Sequence, residues 1–268
     1  MENQKICAYC KEEKALTKEH LWPTSLHARL YATNEQNENH FWLARLQRTI
    51  PNEPQIKDVC AYCNNVTLSV LDSYICKLFD QSFSNILKYN EKISFEYDYH
   101  LLKRWLLKMS YNSARIHNAH DLQALEGMLP YILGKDDKLG RCVQLFVLLT
   151  YPEKVKKQEI DKTIASDEVI ILEPIIHRVG HFLFRVPNIG EKILRTVHLR
   201  SFSFLLAFWL PSGGKAEQND FESIITTTMN GLKLLHSNEK SITLECNGIG
   251  AFASLKHARS QFEFSNKN

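Results

Sequence analysis

Two Cys-x-x-Cys pairs, Cys7-Ala8-Tyr9-Cys10 and Cys60-Ala61-Tyr62-Cys63, bracket the segment Leu16-Thr17-Lys18-Glu19-His20-Leu21-Trp22-Pro23. Four thiolates in two closely spaced pairs are what one tetrahedral structural Zn²⁺ needs. The Glu19-His20 pair has a different chemistry, with oxygen and imidazole donors suited to Mg²⁺ or another divalent ion. The second Cys pair runs directly into Asn64-Asn65. Neighbours on a strand point to opposite faces, so one of Glu19 and His20 could ligate a metal while the other activates water. Asn64 or Asn65 could supply a second oxygen ligand. Plainer readings stand beside these: structural thiols without metal, an exposed loop pair, and asparagines that cap a helix beginning near Val66. Capping and metal binding are compatible, and the duplicated cysteine spacing favours zinc.

The elements that must position these residues are unevenly legible. Up to about Asp72 the chain is polar and rich in turns, including Asn34 to His40 and Ile50-Pro51-Asn52-Glu53-Pro54. Such a segment would struggle to fold on burial alone, and a metal staple would supply what its core lacks. From Thr67 the spacing of Leu68, Leu71, Ile75, Leu78, Phe79, Phe83, Ile86 and Leu87 predicts a long amphipathic helix. A second helix is expected over His100 to His117, with Trp105, Leu106 and Met109 on its apolar face, and a third near Asp121 to Leu133. Beyond Gly140, β-branched and aromatic runs predict strands at 141–150, 168–176, 180–186 and 195–210. Helical spacing returns over 219–235, and 241–246 reads as one more strand. The reading is α+β in three parts: residues 1–75 as a zinc-stapled module, 76–135 as helices packing on it, and 136–268 as an α+β domain with an antiparallel sheet.

Composition sets broad limits. The chain has 268 residues, is 44% hydrophobic, and carries 33 Lys+Arg against 30 Asp+Glu, for a net charge of +3. It can bury a sizeable core, and it lacks the strong basic excess of a protein that coats nucleic acid. Met1-Glu2-Asn3-Gln4-Lys5 opens no apolar leader, and no apolar run is long enough to span a bilayer. A cytoplasmic chain without a disulfide framework is therefore expected. Cys76, Cys142 and Cys246 read as buried small hydrophobes, Asp72 as solvated surface, and Trp22 and Trp42 as core of the small module. Lys88, Lys92, Lys103, Arg104, Lys108 and Arg115 form a basic set on the helices that could track a phosphate backbone, although a wet face is the commoner meaning of such a set.

Taken together, these motifs resemble the zinc-stapled branch of the HNH endonuclease superfamily. The matching elements are Cys7 and Cys10; Lys18-Glu19-His20 with Pro23; Val59-Cys60 with Cys63-Asn64-Asn65; and Leu68-Ser69-Val70-Leu71-Asp72. The resemblance covers roughly residues 5 to 75. It implies a ββα-metal module that hydrolyses phosphodiester bonds with His20 as general base. It also implies that Glu19 and Asn64, with Asn65 as fallback, hold a catalytic Mg²⁺ or Mn²⁺, and that Cys7, Cys10, Cys60 and Cys63 hold structural zinc. Duplex DNA is the implied substrate, with RNA the alternative. The arrangement is similar to effectors of anti-phage or restriction systems, some of which would await a companion ATPase or sensor protein. Two family features have no match. The middle Asn that orients the base has no clear counterpart, Asn52 lying far ahead of Cys60, and no Gly-Gly follows Pro23. These departures keep open a zinc-stapled module that binds nucleic acid or a partner without catalysis.

Overall fold

The computed structural model describes residues 5–32, 41–43, 48–51, 53–186, 189–209 and 214–256, with backbone alone at 41–43 and 48–49. The chain divides into two compact units. Unit 1 comprises Met1–Gln81 and Asp98–Val143; unit 2 comprises Ser82–Tyr97 and Gln144–Asn268. Helices and mainly antiparallel strands make up the whole, an α+β composition. Among the described residues no helix is long and apolar enough to cross a membrane.

In unit 1, β1 (Lys5–Ile6) and β2 (Glu13–Lys14) pair across the loop that carries the first two cysteines. β3 (Leu16–His20) leads through α1 (Thr24–Tyr31) to a hairpin of β4 (Phe41–Leu43) and β5 (Arg48–Ile50), and then to β6 (Gln55–Cys60), which returns antiparallel to β3. The long helix expected from Thr67 is shorter and uneven. A wide π-type run, Cys63–Leu68, precedes α2 (Ser69–Leu78), and a further π-type turn, Phe79–Phe83, closes it. Ser69 Oγ donates to the carbonyls of Asn65 and Val66, the back-bonding that bends helices.

α3 (Tyr99–His117) matches its expected span and is the core of this unit. Asp98 caps it by accepting from the Leu101 N–H, and Asn118 ends it in the left-handed region at φ 50°. Residues 102 to 114 are all buried except Arg104, so α3 is covered on nearly every side. Trp105 packs on Trp22, with ring centroids 6.1 Å apart, which places Trp22 in the core as expected; the Trp42 side chain lies outside the described residues. The helix expected over 121–133 is instead two, α4 (Leu122–Glu126) and α5 (Leu129–Ile132). Pro130 sits in the first turn of α5, where its ring is tolerated; in one continuous helix it would clash with the carbonyl four residues earlier.

In unit 2, β7 (Lys92–Glu96) pairs with β15 (Ser241–Glu245). The main sheet runs β11 (His177–Val186), β12 (Gly190–Leu199), β13 (Phe202–Phe208), β8 (Val143–Tyr151), β14 (Lys233–Leu234), with β16 (Ile249–Gly250) parallel to β8. A hairpin of β9 (Glu153–Lys156) and β10 (Val169–Leu172) stands apart, and α6 (Lys157–Ile160) follows β9. The single strand expected over 195–210 is two. Arg200, at φ 49°, reverses the chain so that Leu199 faces Phe202. α7 (Lys215–Thr228) buries Phe221 and Ile225 against Phe146, Leu148, Leu194, Leu205 and Trp209. The helix expected to reach 235 ends near Met229 because Gly231 turns the chain at φ +76°, where a Cβ would meet the Asn247 side chain at 2.7 Å. Phe83 stacks at 4.5 Å on Phe202 and meets Phe95 edge-on, which ties the segment before α3 into this unit.

Candidate functional site

The site begins with the pairing of β3 and β6. Leu16 faces Cys60 and Thr17 faces Val59; the register then shifts, and Lys18, Glu19 and His20 face Lys57, Ile56 and Gln55. Asp58 is the extra residue of this bulge, and its carbonyl accepts from the Ala8 N–H, which docks the first cysteine loop on the strand pair. The loop is closed by the Lys11 N–H on the Cys7 carbonyl, with Lys11 itself at φ 61°.

This geometry gathers Cys7, Cys10, Cys60 and Cys63, whose sulfur atoms all lie within 4.8 Å of one another. Cys10 and Cys60 Sγ are 3.9 Å apart, and none of the four is in a disulfide. Sulfurs on one tetrahedral ion at about 2.3 Å each would sit about 3.8 Å apart, so the set could hold a structural ion such as zinc. Backbone amides reinforce it: Cys60 N–H points at Cys7 Sγ and Cys63 N–H at Cys60 Sγ. Burial raises the Cys7 thiol, but the amides of Cys60, Cys10 and Tyr9 outweigh it and bring it down to about 7. Burial and the neighbouring sulfurs push Cys63 up instead. Four thiolates crowded this closely call for a cation among them.

Glu19 and His20 face opposite sides of β3. Glu19 is 6% exposed, and its Oε1 lies 3.0 Å from Lys108 Nζ and accepts from Asn112 Nδ2 at 3.1 Å. Lys108 also holds Asp72 at 2.7 Å, so Asp72, expected as solvated surface, is the second carboxylate of a buried triad. Burial pushes Asp72 up despite Lys108. It would push Lys108 down, but Asp72 and Glu19 outweigh it and hold the ammonium charged. Asn112 carries the network on. Its Nδ2 also donates to the His20 carbonyl at 3.3 Å, and its Oδ1 accepts from Tyr9 Oη and Arg115. Arg115 in turn pairs with Asp58. The network locks β3 and the first cysteine loop to α3.

His20 looks the other way. Its side chain is 34% exposed, and Nδ1 lies 3.0 Å from Oε2 of Glu53, whose own side chain is 9% exposed. The other Glu53 oxygen accepts from the Trp22 N–H, and Gln55 Nε2 lies 3.5 Å from the same imidazole nitrogen. Burial pushes the Glu53 carboxyl above its ordinary value, although the Trp22 amide and His20 pull it down. On α1, burial and the nearby His20 hold His27 below its usual value.

Asn64 donates from Nδ2 to Thr17 Oγ1 at 3.1 Å and to the Lys18 carbonyl at 3.0 Å, tying the start of the helical run to β3; Asn65 is exposed. The residues singled out in the sequence therefore divide. The cysteines come together, His20 meets Glu53 and Gln55, Asn64 reaches the β3 backbone, and Glu19 is committed to Lys108 and Asn112. A divalent ion on Glu19 does not fit this arrangement, because the carboxylate is buried on the core side of β3 and its Oε1 already takes the Lys108 ammonium and the Asn112 amide. Asn52, considered for the middle position, lies outside the described residues.

Of the basic set, Lys88 and Lys92 are exposed, Lys92 lying on β7, while the four on α3 are not free for a phosphate backbone. Lys103 and Lys108 are 1% exposed, Arg104 donates to the Ile132 carbonyl, and Arg115 is held by Asp58. A cleft of about 770 Å³ beside Glu53 and Gln55 is lined by Lys11, Asp58, Arg115 and Glu126 among apolar residues. Its cations are already paired, Lys11 with Glu126 and Arg115 with Asp58. Cys76 and Cys246 are buried as expected, while Cys142 is half-buried.

Sequence reasoning missed Glu53, Lys108 and Asn112. Glu53 sat between prolines in a stretch read as turn. Lys108, Asn112 and Arg115 fall at helical spacing on one side of α3, but nothing in that spacing names partners that lie on other elements. Compared with known proteins, the chain matches no family model, no curated protein and no solved structure.

Proposed function

We propose that unit 1 is an HNH-type endonuclease module that hydrolyses phosphodiester bonds, in duplex DNA first and RNA as the alternative. The observation that carries the reading is His20 at the end of β3, partly exposed, with Nδ1 on a buried carboxylate, an arrangement that would leave Nε2 for chemistry. Support also comes from the four-cysteine cluster, assigned here to zinc, which staples two antiparallel strands to the helical run bearing Asn64. That order of parts agrees with the motif resemblance.

In the reaction, Nε2 of His20 takes a proton from water, and the water oxygen attacks phosphorus as the bond to the 3′ oxygen breaks. The leaving 3′ oxygen, opposite the attacking water, takes a proton from solvent, and His20 returns its own to solvent, giving a 3′-hydroxyl and a 5′-phosphate. The resemblance also implies a Mg²⁺ or Mn²⁺ on Glu19 and Asn64. Lys108 holds Glu19, so the residues present do not fit that ion there. A role in anti-phage defence, with a companion ATPase or sensor acting through unit 2, is the biological setting we attach to this activity.

A second reading is a zinc-stapled module that binds nucleic acid or a partner without catalysis. Lys108 on Glu19 favours it, as do the exposed Tyr62, Val66 and Val70, spaced four apart along the helical run. The two readings separate on one comparison of wild type with His20→Ala. Lost cleavage with retained DNA binding supports the nuclease; identical behaviour of both proteins supports the binding module.

A further inference from the structure

The geometry points to Glu53, on the loop before β6, as the carboxylate that positions His20, while Glu19 of the Lys-Glu-His motif buttresses the opposite face of the strand. Its catalytic weight rests on the nuclease reading above; the positioning itself does not.

Glu53 is held at both oxygens. One accepts the Trp22 N–H, and the other faces His20 Nδ1 at 3.0 Å. Its scaffold is firm, because the Leu21 N–H bonds the Pro54 carbonyl at 2.9 Å and Trp22 is buried against Trp105. The side chain is 9% exposed, so the contact is shielded from water and strengthened by it. A carboxylate on Nδ1 keeps the proton there and leaves the Nε2 lone pair free, and it stabilises the imidazolium formed when Nε2 takes a proton. Glu19 cannot serve this purpose. It lies on the core side of β3, and Lys108 and Asn112 occupy its Oε1. Glu53 thus supplies what an orienting asparagine would, from a position that no motif spacing marks. It is a positioning residue, acting through His20.

The test uses the full zinc-loaded chain and compares wild type with Glu53→Gln, Glu53→Asp and Glu19→Gln. The first readout is the ¹⁵N side-chain spectrum of His20 at pH 8. The wild type is expected to hold the proton on Nδ1. Glu53→Gln shifts the population toward the Nε2–H form that free imidazole prefers, Glu53→Asp restores the wild-type signature in part, and Glu19→Gln leaves it unchanged. The second readout is plasmid cleavage. Glu53→Gln is expected to lower kcat by roughly 10²- to 10⁴-fold with KM within about twofold, and Glu53→Asp to recover part of the loss. A His20 signature unchanged in Glu53→Gln overturns the proposal, as does one that moves in Glu19→Gln instead. A wild type that cuts nothing sinks the nuclease reading alone, since the spectra still decide whether Glu53 sets His20.

Discussion

Replacing Lys108 by methionine removes an ammonium that is 1% exposed, 3.0 Å from Glu19 and 2.7 Å from Asp72. Methionine keeps most of the length and volume, so little cavity forms. Two carboxylates remain, 6% and 20% exposed, with Asn112 as the donor left to Glu19. Stripping one partner from a buried ion pair costs about 3–5 kcal/mol, which for a unit of this size lowers the midpoint by about 10–20 °C. The loss should depend on pH. Burial already holds Asp72 above the ordinary carboxylate value, and without Lys108 it rises further. A carboxyl raised in the folded state gives its stability in acid and loses it as pH rises through the folded value. The deficit of Lys108→Met is therefore greatest at neutral pH and above, and shrinks toward about pH 4. Urea and thermal unfolding at pH 5, 7 and 8 measure this. The triple variant Glu19→Leu, Lys108→Met, Asp72→Leu should be more stable than Lys108→Met alone, because no buried charge is stranded. A single-variant cost below about 1 kcal/mol at pH 7, a flat pH profile, or a triple variant less stable than the single would refute the argument.

Metal analysis should find one zinc per chain, and none in Cys60→Ser. In that variant amide hydrogen exchange speeds up across β3, β6 and α2 while β12 and β13 stay protected; unchanged protection of β3 would show that the cysteines staple nothing. Lys103 gives a second pH signature. Its ammonium donates to Tyr99 Oη, Gly140 O and Val143 O, with no carboxylate partner among the described residues, and burial pushes it down to about 7. A cation lowered in the folded state loses stability as pH falls toward the folded value. Wild-type stability should thus decline from about pH 10 to 7, by up to about 1.4 kcal/mol per unit, a slope absent in Lys103→Met. Parallel profiles for the two proteins would show that the three acceptors keep the ammonium charged.

What was legible in the sequence followed from local rules. The cysteine spacing, the span of α3 and the β-rich texture beyond Gly140 each depend on residues close in the chain. The misses are non-local. Glu53 meets His20 across 33 residues, and Lys108 meets Glu19 across most of unit 1, distances over which spacing carries no signal. Lys103 and Lys108 read as a basic face because charge suggests water; their partners, two carbonyls in one case and two carboxylates in the other, come from segments that only folding brings near. The break at Arg200 was hidden because a left-handed arginine has no compositional mark.

The central claim is water attack at phosphorus driven by His20. Its most direct test is cleavage of an end-labelled DNA duplex and its RNA counterpart by zinc-loaded protein with Mg²⁺ or Mn²⁺, with the product ends identified. The account predicts 5′-phosphate and 3′-hydroxyl ends from the wild type and none from His20→Ala. Cleavage that survives His20→Ala, ends of another kind, or no cleavage of any substrate by folded, zinc-loaded protein would contradict it.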